Sequence, residues 1–402
     1  MKIAIDTFGC DHGKSGFGSY IVYFLSNLPE ELTVVENPGV TINADTNKTP
    51  LSDNAIKNNL KKTDKTKKIT VELFGTEEDR YTYTSGKDIP FSSTPMMNSP
   101  KAESLWHRRK IHKFIKKNGY DVVLYPAAGK ILPLHFKDHT GIAIINSILS
   151  SELSEMSYFK KKSILKGLKN IQHIIAPSAY IKQDLIQLGI NADKISVIHN
   201  GIDHKLFFPM LDLNDEIINV QPFAIKRPYF VYGSSLSTPE KKHIELIKAF
   251  ELFKKNTGLP HRLVIAGNDG AYADQIHKVA FESEFASDIF LIGFFPHESF
   301  AKLYAGSEAC LFPSVTEGVG LPILEAMASG IPVLCSDKGA LKEAGGASAI
   351  YFNADDIDQI STCMQKIVED KELRENVIAD SIVWANEFNW EKTVKQTLAL
   401  IN

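Results

Sequence analysis

Short apolar runs alternate with longer amphipathic stretches along most of the chain. Between residues 229 and 368 the alternation is regular, because each run of about four apolar residues is followed by a stretch with helical spacing. Strands and helices that alternate in this way form a parallel sheet with helices on both faces. The pattern predicts strands at Tyr229–Tyr232, Arg262–Ala266, Ile289–Ile292, Ala309–Phe312, Pro332–Cys335 and Ala349–Phe352, and helices near Lys241–Lys254, Ala271–Glu282, His297–Ala305, Pro322–Ser329 and Asp355–Val368.

The first half of the chain repeats the alternation less regularly. Asn37–Lys68 is polar and rich in lysine, which predicts a long loop or a partly disordered insertion, and Tyr81–Lys101 is rich in serine, threonine and proline, which predicts another loop. The proline-containing stretch His204–Pro228 lacks a sustained period and predicts a boundary. The strands predicted here are Lys2–Asp6, Ile69–Phe74, Asp121–Pro126, Gly141–Ile145, His173–Ala176 and Ile195–Ile198, and the helical stretches are Tyr20–Leu28, Ala102–Lys117, Phe159–Leu168 and Pro177–Leu188.

The two halves together predict an α/β protein with two Rossmann-like, doubly wound parallel-sheet domains that face a central cleft. We place the first domain at residues 1–205 and the second at residues 206–386. Ligands of such sheets bind at the carboxyl ends of the strands. Loops that follow predicted strands are therefore the first places to look for a site.

Composition narrows the class of protein. With 402 residues, 44% apolar and 23% charged, the chain resembles an ordinary soluble globular protein, and a net charge of −3 gives no general drive toward nucleic acid. No run approaches the roughly 20 apolar residues that span a bilayer, so a cytoplasmic protein is expected. The cysteines lack metal-ligand spacing and predict buried free thiols in a reducing compartment; they are Cys10, Cys310, Cys335 and Cys363.

The stretch Ser314–Pro332 combines two glutamates with a glycine loop. Gly318 and Gly320 allow a tight turn between a buried strand and a short helix, and seven residues separate Glu317 in the loop from Glu325, expected in the first helical turn. The start of a helix offers free N–H groups to an anion such as a diphosphate. Carboxylates do not pair favourably with phosphate, so the glutamates should accept hydrogen bonds from hydroxyls. The predicted ligand carries both phosphate and hydroxyl groups.

A second glycine-rich segment, Phe8–Gly18, follows the first strand. Its Gly13-Lys14-Ser15 triplet suggests a P-loop, but that motif needs a glycine where Phe8 stands, which argues against NTPase chemistry. A phosphate could still approach backbone N–H groups near Gly16 and Gly18. A plain turn is the alternative.

Residues 317–333 read EGVGLPILEAMASGIPV, which resembles the E-x7-E signature of the retaining GT-B glycosyltransferases of family 4. The resemblance covers most of the chain and keeps the order of the family's segments. It implies that the last helix, residues 387–402, returns to complete the first domain. Further similar segments are Gly16–Tyr20, Asn200–Asp203, Tyr229–Gly233 with Lys241 and Lys242, Leu263–Gly267, Phe290–Gly293, Leu341–Gly346 and Phe388–Trp390.

The resemblance implies a role for each matching residue. Glu317 would contact the donor-sugar hydroxyls and Glu325 the ribose hydroxyls, and Lys242, with Lys241, would neutralise the charge on the leaving diphosphate. A fixed cation can do this work without a metal, so neither a metal nor another cofactor is expected. The other donor-binding candidates are Gly318, Val319, Gly320, Leu321, Gly233, Gly16, Gly18 and Phe294, and the acceptor-binding candidates are His12 and Tyr20.

The chain departs from the family pattern in two places. Many members have a His-Asp pair after the strand that matches Gly141–Ile145, whereas this chain has Asn146 and then serine. Asn146 can donate a hydrogen bond but cannot act as a base, so His139 and His12 are candidates to replace the missing histidine. The family often has an arginine in the basic turn where Lys241 stands, and lysine lacks the bidentate fork.

The function implied is transfer of a hexose from GDP-mannose or a UDP-hexose to a glycan or lipid-linked acceptor in polysaccharide or lipopolysaccharide synthesis. One alternative is a GT-B epimerase or hydrolase, which would need an acid/base pair in the first half. Another is a non-catalytic nucleotide-binding module, which would not need Glu317, Glu325 and Lys242 together. The basic helix Lys160–Lys169 is either a solvated face or a peripheral contact with the inner face of an anionic membrane.

Overall fold

The computed structural model describes residues 1–29, 69–85, 88–95, 99–210, 216–294 and 296–401. The predicted insertion at Asn37–Lys68 lies outside these ranges. The chain divides into two compact units. One comprises Met1–Ala143 with Asn170–Gln172, and the other comprises Ile144–Lys169 with the chain from His173 onward. These units do not coincide with the predicted domains, and the boundary after residue 205 stays a prediction.

The first unit is built on parallel strands with β1 in the middle. Ile3 of β1 lies opposite Val71 on one side and Val122 on the other, and Ala4 and Ile5 are fully buried between helices. The strands run in the order β3-β2-β1-β4-β5. Their bounds are β1 (Lys2–Asp6), β2 (Thr70–Gly75), β3 (Phe91–Ser93), β4 (Val122–Tyr125) and β5 (Thr140–Ile144), and the helices are α1 (Gly16–Ser26), α2 (Glu77–Thr84), α3 (Pro100–Arg109) and α4 (Ile111–Asn118).

The second unit begins with α5 (Leu149–Ser154), α6 (Tyr158–Asn170), β6 (His173–Ala176), α7 (Ala179–Gln187) and β7 (Ile195–Val197). Strands β6 and β7 pair in parallel. An antiparallel hairpin of β8 (Ile217–Val220) and β9 (Phe223–Lys226) follows. It lies within the stretch predicted as a boundary, where no strand was predicted.

A six-stranded parallel sheet forms the rest of this unit. Its order is β12-β11-β10-β13-β14-β15, so the chain builds outward from β10 in one direction and then returns to start again at β13. Its strands are β10 (Tyr229–Gly233), β11 (Arg262–Ala266), β12 (Ile289–Leu291), β13 (Ala309–Phe312), β14 (Val333–Ser336) and β15 (Ile350–Phe352); its helices are α8 (His243–Thr257), α9 (Ala273–Glu282), α10 (His297–Ala305), α11 (Leu321–Ala328), α12 (Leu341–Gly345), α13 (Ile357–Glu369), α14 (Lys371–Ala385) and α15 (Trp390–Ala399).

Helices cover the inner strands of this sheet, so those strands are apolar along their whole length. Tyr229, Phe230 and Val231 of β10 are completely buried, and Cys310 and Leu311 of β13 pack beside them. Parallel strands buried on both faces need such continuous apolar runs. The regular alternation predicted for residues 229–368 is therefore confirmed, with boundaries that differ by at most three residues.

The last helix packs on the Asn200–Asp203 segment of the same unit. Ile202 donates its N–H to Phe388 O at 3.1 Å. A Cβ on Gly201 would lie 2.2 Å from the backbone nitrogen of Trp390, so only glycine fits there. The backbones of the two segments are therefore in direct contact.

Two local predictions need correction. Tyr81–Lys101 is not one loop: its start belongs to α2 and its middle contains β3. Helix α2 is polar and relies on a capping box between Thr76 and Asp79, so it has almost no apolar period to detect. The single helix predicted over Ala102–Lys117 is broken at Lys110 into α3 and α4.

The four cysteines are free and buried, as predicted. Within the ranges that the structure describes, no helix is long and apolar enough to cross a membrane.

Candidate functional site

The second unit has its topological switch point between β10 and β13. Neighbouring strands there continue in opposite directions through the sheet, which leaves a crevice outside their carboxyl ends, and ligands of open α/β sheets bind in such crevices. The loop after β10 carries Lys241 and Lys242. The loop after β13 carries Glu317 and the glycines. The two loops are joined by a backbone hydrogen bond from Val315 N–H to Glu240 O at 2.9 Å.

Lys241 and Glu317 form an ion pair across this crevice. Lys241 Nζ donates to Glu317 Oε1, and the two side chains are 21% and 17% exposed. The backbone of Glu317 is fixed, because its carbonyl accepts the N–H of Ala340 at 2.8 Å and a Cβ on Gly339 would come within 2.7 Å of it. A cation and an anion are thus held together on one wall of the crevice, partly shielded from solvent.

Lys242 faces different partners from its neighbour. Its Nζ donates to Asp355 Oδ1 at 2.6 Å and to Glu245 Oε1 at 3.2 Å. The hydrogen bond to Asp355 raises the pKa of Lys242 above its ordinary value. Its backbone is left-handed, with φ at 58°, which turns the side chain away from the direction of Lys241. The predicted role of Lys242 on the diphosphate stays a prediction, and Lys241 is the lysine that lies beside Glu317.

The glycine loop leads directly into α11. Gly320 has a φ of 80° and caps the helix, and Leu321 is its first residue. Gly318 O accepts the hydroxyl of Ser178 at 2.6 Å. A Cβ on Gly318 would lie 3.2 Å from Ile181 Cδ1. The loop is therefore held from the side of α7 and has little freedom of its own.

Glu325 lies in the second turn of α11, one turn later than predicted, because the helix already begins at Leu321. It is 8% exposed and its Oε1 lies 2.9 Å from Nε2 of His297, the first residue of α10. The hydrogen bond with Glu325 raises the pKa of His297. The His297 ring packs edge-on against Phe207 at 5.2 Å. No sequence motif marked His297 as a partner of Glu325.

Asn146 follows β5 and lies beside Asn200. Asn200 Nδ2 donates to Asn146 Oδ1 at a long 3.5 Å. The Oδ1 atom of Asn200 is buried and has no hydrogen-bond partner among the described residues. Since Gly318 packs against Ile148, two residues beyond Asn146, this amide pair lies close to the glycine loop in the same unit.

A further carboxylate, Glu343, ties the start of α7 to this region. It accepts the N–H of Ala179 with both oxygens, at 2.9 and 2.8 Å, and its Oε1 lies 2.9 Å from His199 Nε2. Burial opposes its ionisation, but the hydrogen bonds with His199 and Ala179 outweigh burial and lower its pKa. Glu343 lies in the segment Leu341–Gly346, which resembles the family pattern, but the sequence did not predict this contact.

The first glycine segment lies in the other unit. Gly16 and Gly18 belong to the first turn of α1 rather than to a loop. No atom of the described residues lies within 4 Å of the position of a Cβ on Gly16, whereas a Cβ on Gly18 would meet Gly13 Cα at 2.4 Å. Gly18 is therefore required by packing, and Gly16 leaves space for a ligand.

The acceptor-binding candidates differ in accessibility. His12 has a left-handed backbone, with φ at 48°, and its Nδ1 lies 2.8 Å from the buried carboxylate of Asp79. Tyr20 is 2% exposed and stacks on Phe24, so its position gives no support to acceptor binding. His139 is buried, and its Nε2 lies 2.8 Å from the hydroxyl of Tyr125; burial lowers its pKa to about 4. His139 is thus a neutral core residue near neutral pH.

Two donor-binding candidates remain. Gly233 ends β10, and a Cβ there would lie 2.8 Å from Phe300 and 3.0 Å from the hydroxyl of Tyr304. Phe294 is 69% exposed after β12. The described parts of the chain contain no group of three or more His, Cys, Asp or Glu residues that could hold a metal ion. Metal independence and the site roles stay predictions.

Two parallel-sheet domains with loops of this kind define the GT-B class, and solved structures show the same fold. Anabaena HepE, in a crystal structure in complex with UDP, superimposes with a TM-score of 0.67 at 15% identity, covering 100% of this chain and 99% of that chain. Sucrose-phosphate synthase from Thermosynechococcus elongatus gives a TM-score of 0.68 at 17% identity, covering 100% and 98%. At this level of identity the likeness establishes the fold alone.

Two family models together match most of the chain. The model described as Glycosyltransferase Family 4 matches residues 64–206, and the model described as Glycosyl transferases group 1 matches residues 214–383. The chain belongs to glycosyltransferase family 4.

Curated relatives include two O-antigen enzymes. The Escherichia coli O-antigen chain mannosyltransferase B is 32% identical over 241 residues, which is 60% of this chain and 63% of that protein. The Salmonella typhimurium O-antigen chain mannosyltransferase RfbU is 26% identical over 191 residues, or 47% and 49%. The chain covers less than two thirds of each relative's length.

Proposed function

We propose that the protein is a retaining glycosyltransferase that moves a hexose from a nucleotide sugar to a glycan or lipid-linked acceptor during polysaccharide synthesis. The observation that carries this proposal is the Lys241–Glu317 pair at the switch point, directly before the N-terminus of α11. A diphosphate needs a cation and free N–H groups, and a sugar needs a fixed acceptor of hydroxyl hydrogen bonds. This place offers all three within one pair of loops.

The diphosphate would lie against Gly318–Leu321 and Lys241. The backbone N–H groups at the start of α11 point toward an anion, and the helix dipole adds to their attraction. On arrival of the donor, Lys241 would exchange its contact with Glu317 for a phosphate oxygen. This exchange would leave the Glu317 carboxylate free to accept hydrogen bonds from the sugar hydroxyls.

The nucleoside would be held by Glu325. Its carboxylate can accept hydrogen bonds from both ribose hydroxyls while its Oε1 keeps the contact with His297. Burial makes this carboxylate effective, because few water molecules compete for it. His297 would then hold Glu325 in the orientation that the ribose requires.

The chemistry would proceed on one face of the sugar. The bond between the anomeric carbon and the diphosphate oxygen breaks, the acceptor oxygen forms the new bond on the same face, and the acceptor proton passes to the departing phosphate oxygen. The positive charge of Lys241 would stabilise the negative charge that develops on that oxygen. A double displacement would need a carboxylate nucleophile at the anomeric carbon, and Glu325 is engaged elsewhere in this scheme.

Asn146 would orient the reacting groups from the other wall of the site. It cannot take a proton, so it would contribute a hydrogen bond to the donor sugar or to the acceptor hydroxyl. No metal is assigned to the reaction, because Lys241 and the helix N-terminus already supply the positive charge.

GDP-mannose is the first donor to test and a UDP-hexose the second. The mannosyltransferases among the relatives support the former, and the UDP complex among the structural neighbours supports the latter. Purified protein would be incubated with each donor and with oligosaccharide acceptors of O-antigen type, with and without EDTA. Sugar transfer to an acceptor, with the product's anomeric configuration equal to the donor's by NMR, would establish the function. Absence of transfer from every nucleotide sugar would refute it.

A further inference from the structure

Helix α6 presents aromatic and basic side chains to solvent on one face. The helical period places Tyr158, Lys162, Lys166 and Lys169 along one stripe, with Phe159 beside it, and all five side chains are exposed. We call these five residues the aromatic–lysine face. Tyr158 is 69% exposed and Phe159 is 83% exposed, and their rings meet edge to face at 5.8 Å.

The opposite side of α6 fixes the helix to its unit. Ile164, Gly167 and Leu168 are buried against the body of the protein. The helix cannot therefore turn to bury its aromatic residues without giving up this packing. The aromatic–lysine face is presented permanently, although leaving two neighbouring aromatic rings in water is unfavourable.

Positive charge predominates along α6, after Glu152 and Glu155, which precede the exposed rings. Between residues 156 and 183 the sequence contains six lysines, at positions 160, 161, 162, 166, 169 and 182, and no aspartate or glutamate. None of the α6 lysines forms an ion pair with a carboxylate in the parts of the chain that the structure describes.

We infer that the aromatic–lysine face docks on an anionic lipid bilayer. Lysines attract acidic headgroups, and aromatic rings, tyrosine above all, favour the headgroup level of a membrane, where one end of the ring is apolar and the other is wet. A nucleic acid would satisfy the lysines equally well. The paired rings at the start of a fixed helix fit the bilayer interface better, because both are exposed and adjacent and can enter the headgroup layer together. This proposal rests on α6 alone and is independent of the proposed transfer reaction.

The test measures binding of the full-length protein to lipid vesicles. Sedimentation would compare vesicles of phosphatidylcholine alone with vesicles that contain 30% phosphatidylglycerol, a fraction of about one third chosen so that lysine attraction is clearly measurable. The protein should bind the anionic vesicles and not the neutral ones. Equal binding to both, or to neither, would overturn the proposal.

Two variants divide the electrostatic and aromatic contributions. Replacing Lys162, Lys166 and Lys169 by glutamine should lower the partition coefficient about fivefold for each lysine, or roughly a hundredfold in all. Replacing Tyr158 and Phe159 by serine should abolish the binding that persists at high salt, because the contribution of buried rings is not screened. Circular dichroism and thermal unfolding would verify that both variants stay folded.

A matched control comes from α9. Phe281 is 85% exposed, close to the value for Phe159, and Lys278 lies on the same helix. Unlike in α6, a glutamate, Glu282, directly follows Phe281. The double variant Phe281→Ser, Lys278→Gln should bind vesicles like the wild type. An equal loss in this control, or wild-type binding in both α6 variants, would contradict the proposal. Tighter binding to a single-stranded RNA oligonucleotide than to anionic vesicles, unaffected by loss of the rings, would assign the face to nucleic acid instead.

Discussion

Two adjacent lysines in the loop after β10 serve different partners. Lys241 pairs with Glu317, whereas Lys242 pairs with Asp355 and Glu245. The sequence predicted a basic turn and favoured Lys242 for the diphosphate. The direction of each side chain depends on the left-handed backbone at Lys242, which neither composition nor spacing reveals. The geometry therefore moves the proposed phosphate contact to Lys241.

Replacing each lysine by alanine separates these roles. Lys241→Ala should weaken binding of a nucleoside diphosphate by about 1.5–3 kcal/mol, the range for hydrogen bonds to charged groups. Lys242→Ala is the matched control: it removes the same charge one residue away and should leave the affinity nearly unchanged. Isothermal titration calorimetry measures both. A large loss in Lys242→Ala with none in Lys241→Ala would restore the assignment made from the sequence.

The His297–Glu325 pair should make stability depend on pH. The hydrogen bond with Glu325 raises the pKa of His297 in the folded protein above its unfolded value of about 6.5. The pair therefore stabilises the fold fully below that unfolded value, and the stabilisation is lost as the pH rises through the folded pKa. The gap in melting temperature between the wild type and His297→Gln should be largest near pH 5.5 and should shrink toward pH 8.5.

The same comparison in a Glu325→Gln background provides the control. Without the carboxylate, replacing His297 should produce a smaller pH-dependent gap, because the main partner that raises its pKa is gone and only the more weakly acting charges of Glu298 and Asp203 remain. A gap of constant size from pH 5.5 to pH 8.5 in the wild-type background would show that the pair does not contribute in this way.

The glycine loop and α11 act as one element. Gly320 has a φ of 80°, and a Cβ there would lie 2.8 Å from Ala344 Cβ. Gly320→Ala should destabilise the protein through both strain and crowding, by more than the roughly 1–2 kcal/mol that a left-handed alanine costs. Gly258 at the end of α8 is the control, because its φ of 64° is similar but nothing lies within 4 Å of its Cβ position.

Urea unfolding measures both glycine variants. Gly258→Ala should show the strain alone, and Gly320→Ala should show a distinctly larger loss of unfolding free energy. Equal losses would mean that Ala344 moves aside at no cost and that the loop is not held by α12.

Among the helices and strands, the sequence predicted those that contain buried apolar runs. Strands β10, β11 and β13 were found because nearly all of their residues are buried. Helix α2 and strand β3 were missed, since few of their side chains are buried and a capping box does not create an apolar period. The hairpin of β8 and β9 was missed because its short strands follow prolines and carry exposed residues such as Ile217 and Phe223.

At the scale of the whole molecule, the fold class was predictable because the strand–helix alternation is visible in local patterns, whereas the order of the strands in each sheet was not predicted. The partners of individual charged groups were not predictable, because Glu317 and Lys241 are 76 residues apart and meet only through the sheet. The glutamates and glycines of the loop could be identified from their spacing. His297, Ser178 and Glu343, which hold the loop and its neighbours, have no such signal.

The proposed role of Glu317 is tested by comparing the wild type with Glu317→Gln in the presence of GDP-mannose and then of UDP-glucose. We expect the wild type to transfer sugar with EDTA present. We expect Glu317→Gln to bind the nucleoside diphosphate with nearly unchanged affinity but to lose transfer, because an amide accepts hydrogen bonds from sugar hydroxyls less well than a carboxylate and no longer pairs with Lys241. Full transfer by Glu317→Gln, or strict dependence of the wild type on a divalent metal, would contradict the proposed mechanism.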